Sequence, residues 1–143
     1  MSLLLKLRGW FLEDKDAGES LGRRGETAAA KFLKQLGYRI LERGYDSPLG
    51  EIDIVAIDGR TVVFVEVKTR SSTDSGHPAD AVDATKQRRM TQAALAYLKA
   101  HNLLQTPARF DVVAVMWRDV HEPPVIEHIQ NAFAPVGSGQ LFS

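Results

Sequence analysis

Residues 50–70 read GEIDIVAIDGRTVVFVEVKTR, and this stretch decides the fold. Val, Ile and Phe fill two runs, Glu51 to Ile57 and Thr61 to Thr69, separated by Asp58-Gly59-Arg60. Such residues pack well on a pleated surface, and Asp-Gly tolerates the backbone of a tight hairpin turn. The two runs are therefore expected to pair as an antiparallel hairpin. The second is nearly continuous in Val, Phe and Thr, which predicts a strand covered on both faces. Both nevertheless carry charge: Glu51 and Asp53 in the first, Glu66 and Lys68 in the second. A buried charge is costly unless it is paired, hydrated or bound to a metal.

Side chains two apart on a strand share a face, which groups Glu51 with Asp53 and Glu66 with Lys68. Whether the turn is Asp58-Gly59 or Gly59-Arg60, an odd-numbered residue of the first strand faces an even-numbered one of the second. Asp53, Glu66 and Lys68 then converge, with Cβ atoms about 5 Å apart when directly opposed and about 7–8 Å apart on the diagonal.

Outward from the hairpin, a helix is expected from about Leu21 to Leu36. Ala29, Phe32, Leu33 and Leu36 recur at helical spacing, and Gly37 stands where a C-terminal cap belongs. Glu26 opens the same core-facing stripe, so its carboxylate is directed toward the sheet. Residues 38–46 read as a first strand, with Ser47-Pro48-Leu49-Gly50 as the turn out of it. After the hairpin, residues 72–80 (STDSGHPAD) form a loop whose Gly76, Pro78 and Asp80 end the strand and supply a cap. A second helix is expected over about Ala79 to His101, burying Met90, Ala93, Ala94, Tyr97 and Leu98. A buried strand at 109–117 and an edge strand at 125–133 complete an α-β-β-β-α-β order with one late strand. The strand after the second helix can rejoin the sheet parallel to the 61–69 strand through a right-handed crossover. The expected fold is an α/β sandwich, a mixed sheet flanked by helices.

A chain of 143 residues makes one domain, expected over 20–134. Residues 1–19 form a short helix or a tail, and 135–143 a tail. An apolar fraction of 44% with 25% charged residues excludes wholesale disorder. The absence of cysteine excludes disulfides, a thiolate nucleophile and Cys-ligated zinc, and a cytoplasmic location is the natural default. The opening MSLLLKLRGWFL is too short, and too interrupted by Lys6 and Arg8, to span a bilayer, so no membrane association is expected. The histidines at 77, 101, 121 and 128 show no ligand spacing and are expected in loops or on the surface. Asp111 is expected to be structural, paired with a base such as Arg39, and Trp10 and Trp117 to be packing residues.

Formal net charge is zero but unevenly placed. Six bases against two acids fill Leu21 to Tyr45, whereas Asp46 to Gly59 holds Asp46, Glu51, Asp53 and Asp58 and no base. A basic flank beside an acidic centre suits a metal site that handles a polyanion, and a solvated helix face explains the bases alone. Glu26, Asp53 and Glu66 gathered without a cation would repel and titrate high, and Lys68 relieves only part of this. Mg²⁺, or Mn²⁺ on the same oxygen ligands, would resolve it, activate a water and neutralise phosphate charge, with Lys68 assisting. Asp53 and Glu66 are the candidate metal ligands. Glu51 either ligates a further ion or bonds backbone near the turn. A simple buried ion pair with Lys68 is the competing account of any one of these carboxylates. Arg23, Arg24, Arg70, Lys86 and Arg89 are candidate phosphate contacts. Gln87 either joins them or supports the site, and a solvated basic turn is the alternative for 86–89.

Gly50-Glu51-Ile52-Asp53 followed by Glu66-Val67-Lys68 resembles the PD-(D/E)xK nuclease superfamily of restriction-endonuclease-like folds. Gly22-Arg23-Arg24-Gly25-Glu26, Gly37-Tyr38-Arg39-Ile40-Leu41, GEIDIVAIDG, FVEVKTR, the spacing from Ala81-Val82 to Lys86 and Arg89, and Arg109-Phe110-Asp111-Val112-Val113 are similar to the bacterial YraN-type family. The likeness covers about residues 20–117. It implies an αβββαβ core, metal held by Asp53 and Glu66, a water assisted by Lys68, and Glu26 completing the site from the first helix. Position 52 is Ile where the superfamily motif has proline, as in resolvase-like branches. The function so implied is Mg²⁺-dependent hydrolysis of DNA, branched or flapped forms included, with a homodimer as one arrangement for cutting paired strands. A non-catalytic nucleic-acid or protein adaptor on the same fold is the alternative, and a dimeric scaffold with purely structural carboxylates a third.

Overall fold

The computed structural model describes residues 17–71, 82–119 and 121–137. In chain order the elements are helix α1 (Ala17–Gln35), strands β1 (Arg39–Ser47), β2 (Gly50–Asp58) and β3 (Thr61–Arg70), helix α2 (Ala84–Ala100), and strands β4 (Ala108–Met116) and β5 (Val125–Phe133). The five strands form one sheet in sequential order. β1, β2 and β3 run antiparallel, β4 lies parallel to β3 after the α2 crossover, and β5 returns antiparallel as an edge. This is the mixed α/β sandwich expected, with β3 at its centre.

The hairpin turn takes Gly59-Arg60, with Asp58 opposite Thr61 and Gly59 at φ 62°. Alternation then sends Val62 and Phe64 to one core and Val63 and Val65 to the other. The first core lies beneath α2, with Met90, Ala93, Ala94, Tyr97 and Leu98. The second lies beneath α1, with Ala29, Ala30 and Leu33. The two helices thus cover opposite faces, and β3 is buried continuously from Val62 to Glu66.

Four expectations need correction. Leu36 is 51% exposed rather than core, because α1 ends at Gln35. There Gly37, at φ 97°, closes the end with Tyr38 N–H donating to the Leu33 carbonyl at 3.0 Å. The second helix begins at Ala84, and Val82 and Asp83 precede it. Asp83, in extended backbone, is the cap and accepts the Lys86 N–H at 2.9 Å. Gly76, Pro78 and Asp80, expected to supply that cap, lie outside the described residues, as does Trp10.

The third correction concerns Asp111, which pairs with Arg109 rather than Arg39. Its carboxylate accepts from Arg109 Nε at 2.9 Å and from the Asn131 N–H at 2.9 Å, and lies 2.8 Å from His128 Nε2. A register shift between β4 and β5 beside Phe110 frees that Asn131 amide, and Asn131 itself takes φ 53°. His128 is accordingly a buried strand residue, its side chain 7% exposed, not a loop or surface one. Arg109 reaches on to Asp58 (3.1 Å) and the Tyr38 hydroxyl (2.8 Å), stapling the far end of the central hairpin to the start of β1. Trp117 is buried in the α1-side core as expected. The Val136 N–H donates to Thr91 Oγ1 at 3.1 Å, so the chain packs back on α2 after β5. Among the described residues no helix is long and apolar enough to cross a membrane.

Candidate active site

β2 and β3 stay paired as far as Ile54 opposite Val65, and one step beyond stand Asp53 and Glu66. At that point Asp53 Oδ2 accepts the Val67 N–H at 2.8 Å. The alternation of β2 breaks at the same residue. Ile54 and Ala56 belong to the core beneath α1, yet Ile52, of the same parity, belongs with Val55 to the core beneath α2. β2 therefore turns about Asp53 as it leaves β3, and the carboxylate sits in the fork between them.

Two cavities open from that fork, and Asp53 lines both. One, of about 390 Å³, faces α2 and includes Gly50, Glu51, Glu66, Lys86 and Arg89. The other, of about 450 Å³, faces α1 and includes Arg23, Glu26, Lys68 and Arg70.

Both helices come unusually close at these cavities, and glycine permits each approach. A Cβ at Gly25 would collide with Thr69 Oγ1, so the α1 backbone lies directly on β3 and sets Glu26 into the α1-side cavity. A Cβ at Gly50 would stand 2.9 Å from the Arg89 carbonyl oxygen, so the start of β2 lies directly on α2. Larger residues would hold the helices off the carboxylates.

Glu66 is buried, its side chain 5% exposed, and two ammonium groups meet its Oε2. Lys86 Nζ lies at 2.6 Å and Lys68 Nζ at 3.7 Å. Burial, followed by the charge of Glu66, pushes the Asp53 carboxyl up to about 7, Glu26 adding a little and the Val67 N–H and Lys86 opposing. Burial disfavours the charged form of Lys86, but its bond to Glu66 and the charges of Glu66, Asp53 and Glu51 outweigh this and raise it.

The sequence-selected residues divide between the two sides. Glu26, Lys68, Arg23 and Arg70 share the α1 side with Asp53, and Glu51, Glu66, Lys86 and Arg89 share the α2 side. Glu26 also meets Arg43 at 3.7 Å. Arg24 stands with Arg23 and Lys31 along the outer face of α1, its guanidinium 4.5 Å from the Trp117 ring centroid. Gln87 lines neither cavity, its Nε2 donating to the Val82 carbonyl at 2.8 Å and so bracing the start of α2. The close Lys86–Glu66 contact was not expected. In the sequence Lys86 reads as a phosphate contact or part of a solvated basic turn, whereas in the structure it stands in the first turn of α2 and reaches Glu66.

The donor set fits a hard divalent cation. Asp53 and Glu66 are adjacent oxygen donors, and their mutual repulsion is what a cation between them would relieve. Among the described residues no three Asp, Glu or His side chains are gathered closely enough to hold an ion unaided. Water and substrate oxygens would have to complete the shell, as is usual for Mg²⁺.

A three-layer α/β domain with a carboxylate and lysine cluster on its central hairpin has the architecture of a restriction-endonuclease-like core. The uncharacterised protein family UPF0102 matches residues 25–115, and the chain belongs to that family, which is the YraN-type family of the resemblance. It is 47% identical to the UPF0102 protein of Rhodopirellula baltica over 144 residues, 96% of this chain and 86% of the relative. The UPF0102 protein of Geotalea uraniireducens is 50% identical over 121 residues, 85% of this chain and 94% of the relative. That of Geobacter sulfurreducens is 50% identical over 113 residues, 79% and 88% respectively.

Proposed function

We propose that the protein is a metal-dependent nuclease that hydrolyses phosphodiester bonds in DNA, branched or flapped forms among its substrates. The observation that carries this reading is Asp53, a carboxylate in the strand fork, beside buried Glu66 and lining cavities on both sides. A structural ion pair has no use for such access. Mg²⁺ or Mn²⁺ held by Asp53 and Glu66, with Glu51 on the same cavity, would activate a bound water and neutralise charge on the phosphate. Lys68 orients the attacking water or stabilises the charge that develops. Glu26 adds a carboxylate from the α1 side. Arg23 and Arg70 on one side, and Lys86 and Arg89 on the other, would hold phosphates flanking the scissile bond, so the nucleic-acid strand would cross the fork from α1 to α2. Arg24 would extend that contact along α1, and Gln87 would act only by bracing the start of α2.

Cleavage is expected to require Mg²⁺ or Mn²⁺, to stop in chelator, and to be abolished by Asp53→Asn and by Lys68→Ala with folding retained. Absence of cleavage across duplex, nicked, flap and four-way DNA with either metal would overturn it. The short Lys86–Glu66 contact supports a second reading, a non-catalytic nucleic-acid-binding module whose carboxylates are already neutralised. In that case binding persists in chelator and tolerates Lys68→Ala.

A further inference from the structure

Lys86 is bonded to Glu66, one of the two carboxylates proposed above to hold the metal. Glu66 is buried and needs a cationic partner, but Lys68, on its own strand, lies 3.7 Å from Oε2. The closer partner comes from the opposite helix, at 2.6 Å on the same oxygen. Asp53 and Glu51 line the same cavity, so a single ammonium group stands in the field of three carboxylates. Lys86 thus meets the carboxylates to which the metal-binding reading assigns the ion.

The Lys86 side chain is also able to leave. It is 42% exposed, on a flexible stem in the first turn of α2, next to solvent-exposed Arg88 and Arg89. Its backbone is held independently, through the Asp83 cap, so the ammonium can swing outward with the helix in place. An ammonium and a divalent cation repel strongly at one buried oxygen, so the two cannot share it.

We infer that Lys86 is a built-in competitor for the divalent ion: it neutralises Glu66 in the metal-free protein, and ion binding requires it to withdraw from Oε2. This rests on the metal-binding reading of Asp53 and Glu66. The alternative, that Lys86 steadies Glu66 for the ion, makes the opposite prediction for its removal.

The test is Mn²⁺ titration of the full-length protein, followed by the electron paramagnetic resonance signal of free Mn²⁺. The proteins compared are wild type, Lys86→Met, Lys86→Gln and Asp53→Asn. Lys86→Gln keeps a donor for Glu66 without the charge, which protects folding. Both neutral variants are expected to bind Mn²⁺ at least about ten-fold tighter than wild type, the effect of removing one like charge at close range. In chelator Lys86→Met should melt below wild type, and Mn²⁺ should raise its Tm more. Equal or weaker binding by both Lys86 variants, with binding lost in Asp53→Asn, would overturn the competitor role and leave the metal site standing. Undiminished binding in Asp53→Asn, or none in any of the four proteins, would remove the metal site and the inference together.

Discussion

Asp53 joins burial, the strand fork and both cavities in one side chain, and its titration gives the fork a measurable signature. A carboxyl raised to about 7 in the folded protein, from about 3.9 when unfolded, favours the protonated native state. Its stabilising contribution is full below about pH 4 and is lost as the pH rises through about 7. In chelator, wild-type Tm should therefore fall between pH 5 and pH 8 by more than that of Asp53→Asn, whose amide oxygen still accepts the Val67 N–H. Parallel curves for the two proteins would rule this out. Asp111 behaves in the opposite sense. Burial alone would raise its carboxyl, but the bonds to His128, Arg109 and the Asn131 N–H hold it low. Asp111→Ala removes a fully buried acceptor shared by half-buried Arg109, His128 and the Asn131 N–H, while Arg109 keeps Asp58 and Tyr38, and should cost about 1–3 kcal/mol in urea unfolding.

At the scale of elements, the position of α1 on β3 depends on one missing side chain. Gly25→Ala should destabilise the domain by about 1–3 kcal/mol, because the new methyl must displace Thr69 or lift the helix. Thr69→Ala removes the colliding hydroxyl, so the double variant should recover part of that loss, and additive effects in the double-mutant cycle would contradict the contact. The elements themselves were largely legible. Helical spacing in 29–33, the turn signal of Asp58-Gly59-Arg60 and the continuous apolar runs each reflect a local preference, and the β5 range matches at both ends. The start of α2 was not legible, because 72–83 holds several residues able to cap, and choosing Asp83 required seeing which backbone amide each one reaches.

For the molecule as a whole, zero net charge conceals a division that the fold converts into a surface. Arg23 stands on the same helix face as Arg24 and Lys31 and also enters the Asp53 cavity, so the basic flank runs into the carboxylate fork. If nucleic acid follows this path, the logarithm of the binding constant should fall linearly with the logarithm of salt concentration. Arg23→Ala and Arg70→Ala should each lower that slope by about 0.7–0.9 whatever the sequence bound, which filter binding across a salt series would measure. An unchanged slope would place the strand elsewhere.

The sequence alone determined the order of the elements, the pairing of the central hairpin and the opposition of Asp53 to Glu66, whereas Lys68, expected on the Glu66 face, lines the other cavity. Each follows from a period of two or 3.6 residues or from the parity of a two-residue turn, which are local rules. Only the tertiary structure decided the rest. It showed that β2 turns at Asp53, against simple alternation, because the strand leaves its β3 partner there. It brought Lys86 from twenty residues away onto Glu66, and it gathered Arg109, Asp111 and His128 into one buried network. Those contacts join side chains on separate elements, and a charge finds its partner only after the layers have packed. The charges of GEIDIVAIDGRTVVFVEVKTR were legible as a cluster, and their division between two cavities became visible only in the folded chain.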